Sequence, residues 1–211
     1  VVKKGDKVLT GQLIGQSTGY VSANIHASIS GTVTSVDAYP NGQGQRRLMV
    51  VIKREGDEWM PEIDRTPDHK RECTLSSQEI IGKIRDAGIV GLGGAQFPTH
   101  VKLSVPDGQK AEVVIINGVE CEPYLTSDYR NMMERTEMIL TGTEIVMRAV
   151  GVSRAVIGVE NNKTDAIAKL REIIARDKYE GIEVMPLKMR YPQGGEKQLI
   201  AAVTGRQVPP P

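Results

Sequence analysis

The run Glu112-Val-Val-Ile-Ile-Asn117 sets the fold class that we predict for this chain. Its four consecutive β-branched apolar residues are typical of a strand that is buried on both faces. Two similar apolar runs follow, at 154–160 and 182–187, and amphipathic helical patterns over 136–150 and 164–177 separate the three runs. Strands that alternate with helices of this length predict an α/β domain with a Rossmann-like, mainly parallel sheet.

The first 54 residues have a different pattern, with short β-like segments between glycine turns at Gly5 and Gly11. Short strands at regular spacing predict a small β-barrel or sandwich. The pattern resembles the hammerhead fold of lipoyl and biotinyl carrier domains, so we expect a barrel-sandwich domain. Carrier domains place a modified lysine on a central hairpin, but segment 18–26 has no lysine. We therefore expect a scaffold without a swinging arm.

Between these two parts, residues 55–75 are polar and contain two prolines, which is typical of a connector. Ser76 and Glu79 then form the pattern of a capping box, which predicts that a helix begins there. We therefore expect a β domain over 1–54, a connector over 55–75 and an α/β domain over 76–211. Because the chain opens on Val1 and stops in three prolines, we expect the last domain to be C-terminally truncated.

Composition excludes several classes of function. The chain has 27 basic and 26 acidic residues, a balance that gives no electrostatic basis for nucleic-acid binding. No apolar run is long enough to span a bilayer, so we expect no direct membrane insertion. Cys73 and Cys121 are the only cysteines and lie far apart in sequence, so we expect reduced thiols and no metal or iron–sulfur site within this span.

Polar or glycine-rich segments follow each of the three predicted strands, at 117–123, 160–163 and 188–196. In open parallel sheets, ligands bind beyond the carboxyl ends of the strands. A glycine-rich loop, 91–102, precedes the first strand. We predict that these four segments form one composite site. The loop glycines would also suit a plain connection between a helix and a strand, and Asn117-Gly118 a plain turn.

The residue types in these segments suit a flavin. Glycines allow backbone N–H groups to approach a phosphate or the edge of the isoalloxazine ring. Asn117 can both donate to and accept from a pyrimidine-like ring. Phe97 or Tyr191 can stack on an aromatic ligand, and Lys102 can neutralise a phosphate or a ring carbonyl. No Ser-His-Asp set is present, so we assign no catalytic side chain.

Three motifs carry a resemblance to a known family: Gly88–Leu103, Ile115–Asp128, and Tyr191–Ile200 with Thr204-Gly-Arg206. In this order they resemble the RnfC subunit of the Rnf electron transport complex, over essentially the whole chain. The resemblance implies a membrane-associated, ion-translocating oxidoreductase with the other Rnf subunits as partners and NADH or ferredoxin as indirect ones. It also implies a cytoplasmic location at the inner face of the cell membrane, and [4Fe–4S] clusters only in a C-terminal region outside this chain.

The same motifs are similar to those of the flavin-binding subunit of respiratory complex I, which binds FMN and NADH. The similarity implies that the cofactor-binding residues are Gly91, Gly93, Gly94, Phe97, Lys102, Asn117, Glu120, Glu122, Tyr191, Gly194 and Glu196. Within this set, Phe97 and Glu122 match positions near the nicotinamide dinucleotide. The chain departs from that family where Gln96 replaces a glycine, Val119 an acidic residue and Gly195 a glutamate.

Together these observations predict an FMN-dependent, NADH-oxidising electron-transfer domain that passes electrons to iron–sulfur clusters outside this chain. Two alternatives stay open. One is a scaffold or docking module whose dinucleotide site is degenerate. The other is a flavoprotein of the same superfamily that resembles cobalamin reductase.

Overall fold

A computed structural model of the chain describes residues 1–67, 70–92 and 95–209. They form two compact units: unit 1 combines Val1–Asp68 with Ile81–Ser104, and unit 2 combines His69–Ile80 with Val105–Pro211. The division passes through helix α1, Ser77–Asp86. The expected domain bounds at residues 54 and 75 remain a prediction.

Unit 1 is built mainly from antiparallel strands, of which two are long and three are short. They are β1 (Lys7–Val8), β2 (Leu13–Gly15), β3 (Ile25–His26), β4 (Gly31–Pro40) and β5 (Arg46–Arg54). Strand β4 pairs with β1 and β5 in one sheet, and β2 pairs with β3 in another. The side chains of Val8, Ile14, Ala27 and Val33 form the buried core of these strands. The expected small β structure is confirmed, while its barrel-sandwich arrangement remains a prediction.

The end of α1 and a short helix, α2 (Thr99–Leu103), complete unit 1. Gly88 follows α1 with a φ of +66°, and a Cβ there would lie 2.2 Å from the carbonyl oxygen of Asn24. Only glycine fits such a position without displacing backbone. The helix therefore ends where the sequence predicts, although the sequence pattern did not indicate α2.

Unit 2 is an α/β structure with a three-stranded parallel sheet in the order β6-β7-β8. Its elements are β6 (Val114–Gly118), α3 (Ser127–Glu134), α4 (Thr136–Val150), β7 (Ala155–Glu160), α5 (Thr164–Asp177), β8 (Ile182–Leu187) and α6 (Glu196–Thr204). Leu140, Ile157 and Leu170 are fully buried in the core of this unit. The predicted α/β class and parallel sheet are confirmed, and α3 is an element that the sequence pattern did not indicate.

Two contacts fix the start of unit 2. The predicted capping box is present, because the Ser76 amide donates to Glu79 Oε2 at 2.8 Å and the Glu79 amide donates to Ser76 Oγ at 3.4 Å. Arg71 binds both carboxylate oxygens of Glu144 and lies 3.8 Å from the centre of the Tyr179 ring. Among the described residues, no helix has the length and apolar character needed to cross a bilayer.

Candidate functional site

Three polar segments leave the sheet of unit 2 from the same edge. Strands β6, β7 and β8 are parallel neighbours in register, so their carboxyl ends lie side by side. The segments that follow Gly118, Glu160 and Leu187 therefore begin at one edge, as the sequence predicted. This is the edge at which open α/β sheets bind their ligands.

Asn117 links the first of these segments to the third. Its Nδ2 donates to the carbonyl oxygen of Gly194 at 3.0 Å, and its Oδ1 accepts from the amide of Val119 at 3.2 Å. A Cβ at Gly194 would lie 3.3 Å from the carbonyl oxygen of Val119, so the two segments pack closely. Asn117 and Gly194 are thus brought together, and a direct contact of Asn117 with a flavin remains a prediction.

Glu120 is the acidic residue most embedded in the segment after β6, with only 8% of its surface exposed. Its Oε1 accepts from the amide of Asp128 at 2.8 Å, and its Oε2 from the amide of Tyr129 at 3.0 Å. These are backbone groups in the first turn of α3, where a negative charge is favoured by the helix dipole. Glu120 also accepts from Lys163 Nζ at 2.8 Å and from Ser127 Oγ at 3.4 Å.

These partners determine the ionisation of Glu120. Burial acts to raise the pKa of this carboxyl, but the hydrogen bonds from Lys163 and from the amides of Asp128 and Tyr129 outweigh burial and hold the pKa below its ordinary value. Asp128 shows the opposite balance, since burial and then the charge of Glu120 raise its pKa. Glu120 is therefore an ionised carboxylate whose two oxygens already have four donors, and its predicted flavin contact remains a prediction.

Lys163 also pairs with Glu160, a residue that the predicted set of site residues does not contain. Lys163 Nζ lies 3.7 Å from Glu160 Oε2, and the side chains of the two residues are 13% and 2% exposed. Glu160 is the last residue of β7, where every residue of the strand is buried. The sequence did contain a signal for this pair, because Glu160 ends an apolar run and Lys163 follows three residues later.

Three further predicted residues are exposed in the segments after β6 and β8. Tyr191 is 75% exposed, and Glu122 and Glu196 are exposed as well. Glu196 is the first residue of α6. These side chains are free to meet a ligand, and their contacts with a cofactor remain predictions.

The glycine-rich loop lies in unit 1 and brings Gly91, Phe97 and Lys102 together. The Gly91 amide donates to the carbonyl oxygen of Phe97 at 3.0 Å, which closes the loop. A Cβ at Gly91 would lie 3.3 Å from Lys102 Nζ, so the ammonium group lies directly over bare backbone. Phe97 is 37% exposed. The predicted residues Gly93 and Gly94 lie outside the described residues.

Gln96 adopts a φ of +52° in this loop, in the left-handed region that favours glycine. Gln96 therefore occupies a backbone conformation that a glycine would adopt without strain. Two residues beyond Pro98, His100 is 5% exposed, and its Nε2 donates to the carbonyl oxygen of Tyr20 at 3.2 Å, which anchors α2 on the segment between β2 and β3.

A cavity of about 310 Å³ lies beside β6 in unit 2. Its lining contains both apolar and polar residues, and it consists of Ile116, Asn117, Gly118, Asp128, Asn131, Met132, Arg135, Met138, Ile139 and Ile157. Mixed linings of this kind and volumes from about 300 Å³ are typical of small-molecule sites. The lining includes Asn117 and Gly118, the last two residues of β6, so the cavity reaches the edge from which the three polar segments leave.

Comparison with known proteins matches two successive parts of the chain to two protein families. Residues 84–211 match the family of Nuo51 FMN-binding domains, and residues 1–57 match the RnfC barrel sandwich hybrid domain. The chain belongs to the family of Nuo51 FMN-binding domains, and within it the chain groups with the RnfC subunits of ion-translocating oxidoreductase complexes.

Similar curated proteins are subunits of such complexes. The chain is 48% identical to the RnfC subunit of the Na(+)-translocating ferredoxin:NAD(+) oxidoreductase complex of Acetobacterium woodii, over 99% of the chain and 46% of that protein. It is 46% identical to the proton-translocating counterpart of Clostridium ljungdahlii, over 99% of the chain and 45% of that protein. The chain thus spans less than half the length of these relatives.

A solved structure shares the fold. The NAD+-reducing [NiFe]-hydrogenase in its air-oxidised state matches with a TM-score of 0.57 and 26% identity, over 64% of this chain and 25% of that chain. The same enzyme in its H2-reduced state matches with a TM-score of 0.53 and 23% identity, over 64% and 26% of the two chains.

Proposed function

We propose that this chain is the FMN-binding, NADH-oxidising electron-transfer domain of a membrane-associated, ion-translocating oxidoreductase complex. The observation that carries the proposal is the match of 84–211 to FMN-binding domains. The polar segments at the carboxyl edge of the parallel sheet lie within this span, as do Gly91 and Lys102 of the glycine-rich loop.

Residues of each unit, taken separately, fit FMN. The ammonium group of Lys102 lies over the backbone of Gly91, where a larger side chain would fill the space beside it. Because glycine leaves this space open, a phosphate or a ring carbonyl can approach both the ammonium group and the backbone. Phe97 and Tyr191 expose aromatic surface that suits a flat ring system. Glu122 and Glu196 are exposed acceptors for a sugar or an amide group.

Bound FMN would supply the redox chemistry, which is uptake of two electrons from NADH as a hydride and their release one at a time. The chain's own residues would bind FMN and orient it. Lys102 would balance negative charge on the cofactor, and the family similarity assigns Phe97 and Glu122 to nicotinamide dinucleotide binding. Asn117 holds the loop that carries Gly194 against the end of β6. We also assign Gly93 and Gly94, which match the glycine-rich loop of the family, to FMN binding.

The names of the relatives support the wider setting of the proposal. They are subunits of ferredoxin:NAD(+) oxidoreductase complexes that translocate ions. We propose that this domain works with the other subunits of such a complex, at the inner face of the cell membrane, and that its electrons leave to [4Fe–4S] clusters outside this chain.

Flavin titration of the full-length polypeptide tests the proposal directly. We expect stoichiometric quenching of FMN fluorescence and a visible flavin spectrum that NADH bleaches. Lys102→Ala should weaken FMN binding by about tenfold or more, since it removes a charge-assisted hydrogen bond. Absence of flavin binding by the full-length polypeptide would contradict the proposal.

One observation favours a second candidate, a docking module with a degenerate dinucleotide site. Both polar ends of Asn117 and both oxygens of Glu120 are occupied by internal partners. A thermal-shift comparison with FMN, FAD, NADH and cobalamin separates the candidates. A docking module would show no shift with any of them, whereas a shift with cobalamin alone would favour a cobalamin-reductase-like protein.

A further inference from the structure

Among the residues that the structure describes, two buried polar atoms at the carboxyl edge of the sheet have no hydrogen-bond partner. They are Oε1 of Glu160 and Nε2 of Gln193, whose residues are 2% and 3% exposed. Glu160 ends β7, and Gln193 lies in the segment that follows β8. One atom is an acceptor and the other is a donor. Native proteins leave few such groups unsatisfied, and those that persist require a specific explanation.

The charges around Glu160 explain why its Oε1 has no hydrogen-bond partner among the described residues. Glu120 and Glu160 share a single ammonium group, that of Lys163, at 2.8 Å and 3.7 Å. Glu120 is the carboxylate nearer to this ammonium group, and it also accepts hydrogen bonds from two backbone amides of α3. Glu160 therefore has only the longer contact to the ammonium group, and its Oε1 has no partner among the described residues, which is costly for the folded state.

The orientation of Gln193 is fixed by its neighbours. Arg190 Nε donates to Gln193 Oε1 at 2.9 Å, and because a guanidinium group can only donate, the amide oxygen must face it. Nε2 is then the end without an acceptor. The adjacent backbone is held as well, since the carbonyl oxygen of Gly194 accepts from Asn117.

We propose that Glu160 and Gln193 bind the hydroxylated chain of the flavin, with Glu160 accepting from one hydroxyl group and Gln193 donating to another. A hydroxyl group is both donor and acceptor, so one kind of ligand group satisfies both orphaned atoms. The position agrees, because ligands of open parallel sheets lie beyond the ends of the strands. This inference rests on the proposed function and adds two ligand-binding residues to it.

The test compares flavins with and without that chain. Affinities for FMN, riboflavin and lumiflavin, which lacks the hydroxylated chain, are measured by fluorescence quenching on the full-length polypeptide. Glu160→Gln should weaken FMN and riboflavin binding by about tenfold or more and leave lumiflavin binding unchanged. Its thermal midpoint without flavin should change little, because Oε1 has no partner to lose in the described part of the chain and Oε2 has only the longer contact to Lys163. A loss of affinity without a loss of stability separates a binding role from a structural one.

Matched variants complete the experiment. Glu183→Gln removes an exposed carboxylate of β8 that pairs with Arg154, and it should change no flavin affinity. Gln193→Leu should reproduce the selective loss for FMN and riboflavin, and it carries the test alone if Glu160→Gln does not fold. Unchanged affinities in both variants, as expected if buried water satisfies the two atoms, would overturn the inference, as would an equal loss for lumiflavin. Wild-type protein that binds no flavin would overturn the proposed function and this inference together.

Discussion

The ammonium group of Lys163 lies 2.8 Å from Oε2 of Glu120, and the two side chains are 13% and 3% exposed. Glu120 follows β6 and caps α3, while Lys163 stands between β7 and α5. The pair therefore joins the ends of two neighbouring strands and the beginnings of two helices. Because Glu160 shares the same ammonium group, one lysine balances two buried carboxylates at the edge where we place the ligand.

Lys163→Met should destabilise unit 2 strongly, because it leaves two buried carboxylates without a counter-charge. Breaking a buried ion pair from one side costs about 3 kcal/mol or more. Urea unfolding of the wild type and the variant measures the difference. Lys53→Met is the matched control, since Lys53 and its partner Glu55 are exposed, and its stability should not change measurably. Equal stability of Lys163→Met and wild type would contradict the proposed charge balance.

Glu120 should make stability fall in acid. Its folded-state pKa lies below the ordinary value, so its contribution is present above the unfolded pKa of about 4.3 and is lost as the pH falls through the lower folded pKa. Glu120→Gln removes this contribution. We expect the stability gap between wild type and Glu120→Gln to be full above about pH 5 and to shrink as the pH falls below about 4. A gap that does not vary with pH would show that the charge of Glu120 is not what stabilises the fold.

Asn117 should act through the loop that carries Gly194. Asn117→Ala removes two hydrogen bonds and should cost about 1–2 kcal/mol of stability while it weakens FMN binding. Asn117→Asp distinguishes the two bonds, because it keeps the acceptor for the Val119 amide and loses the donor to Gly194. If FMN affinity depends on loop position, both variants should lose it. Retained affinity in Asn117→Asp would mean that the bond to Gly194 is not needed.

Gln96→Gly should stabilise the protein. A side chain at a φ of +52° is strained, and glycine relieves that strain at some cost in unfolded-state entropy, so we expect a gain of about 0.5–1 kcal/mol. Gln43→Gly is the control: Gln43 is exposed in the turn between β4 and β5 and has no positive φ, so glycine there should bring no gain. Chemical unfolding measures the free energy of unfolding of both variants, and a gain no larger for Gln96→Gly than for Gln43→Gly would contradict the prediction.

Gly91→Ala separates ligand approach from folding. The new methyl group would lie 3.3 Å from Lys102 Nζ, the flexible end of a long side chain, so we expect a small effect on stability. FMN binding should nevertheless fall, because the methyl group occupies space over backbone that the cofactor approaches. Gly82→Ala in α1 is the control, since a Cβ there meets nothing within 4 Å and alanine favours the helix by about 1 kcal/mol. Unchanged FMN affinity in Gly91→Ala would remove Gly91 from the site.

Local patterns were sufficient for most elements of unit 2. The apolar runs that became β6, β7 and β8 and the amphipathic helices α4 and α5 follow from hydrophobic periodicity, which needs no knowledge of distant residues. The capping box of Ser76 and Glu79 is equally local. Helices α2 and α3 were not predicted, because α2 has only five residues and α3 depends on Glu120, a cap that lies seven residues before the helix begins.

The amino-acid pattern alone was enough to establish the class of the fold, the edge of the sheet that carries polar segments, and the motifs that belong to a flavin-binding family. The roles of individual side chains emerged from the folded arrangement. There, Asn117 and Glu120 are held by internal partners, Lys163 pairs with two carboxylates, and Glu160 Oε1 has no partner among the described residues. The reason is physical: periodicity fixes which face of an element is buried, whereas the partners of a polar group are residues that are distant in sequence and meet only in the folded chain.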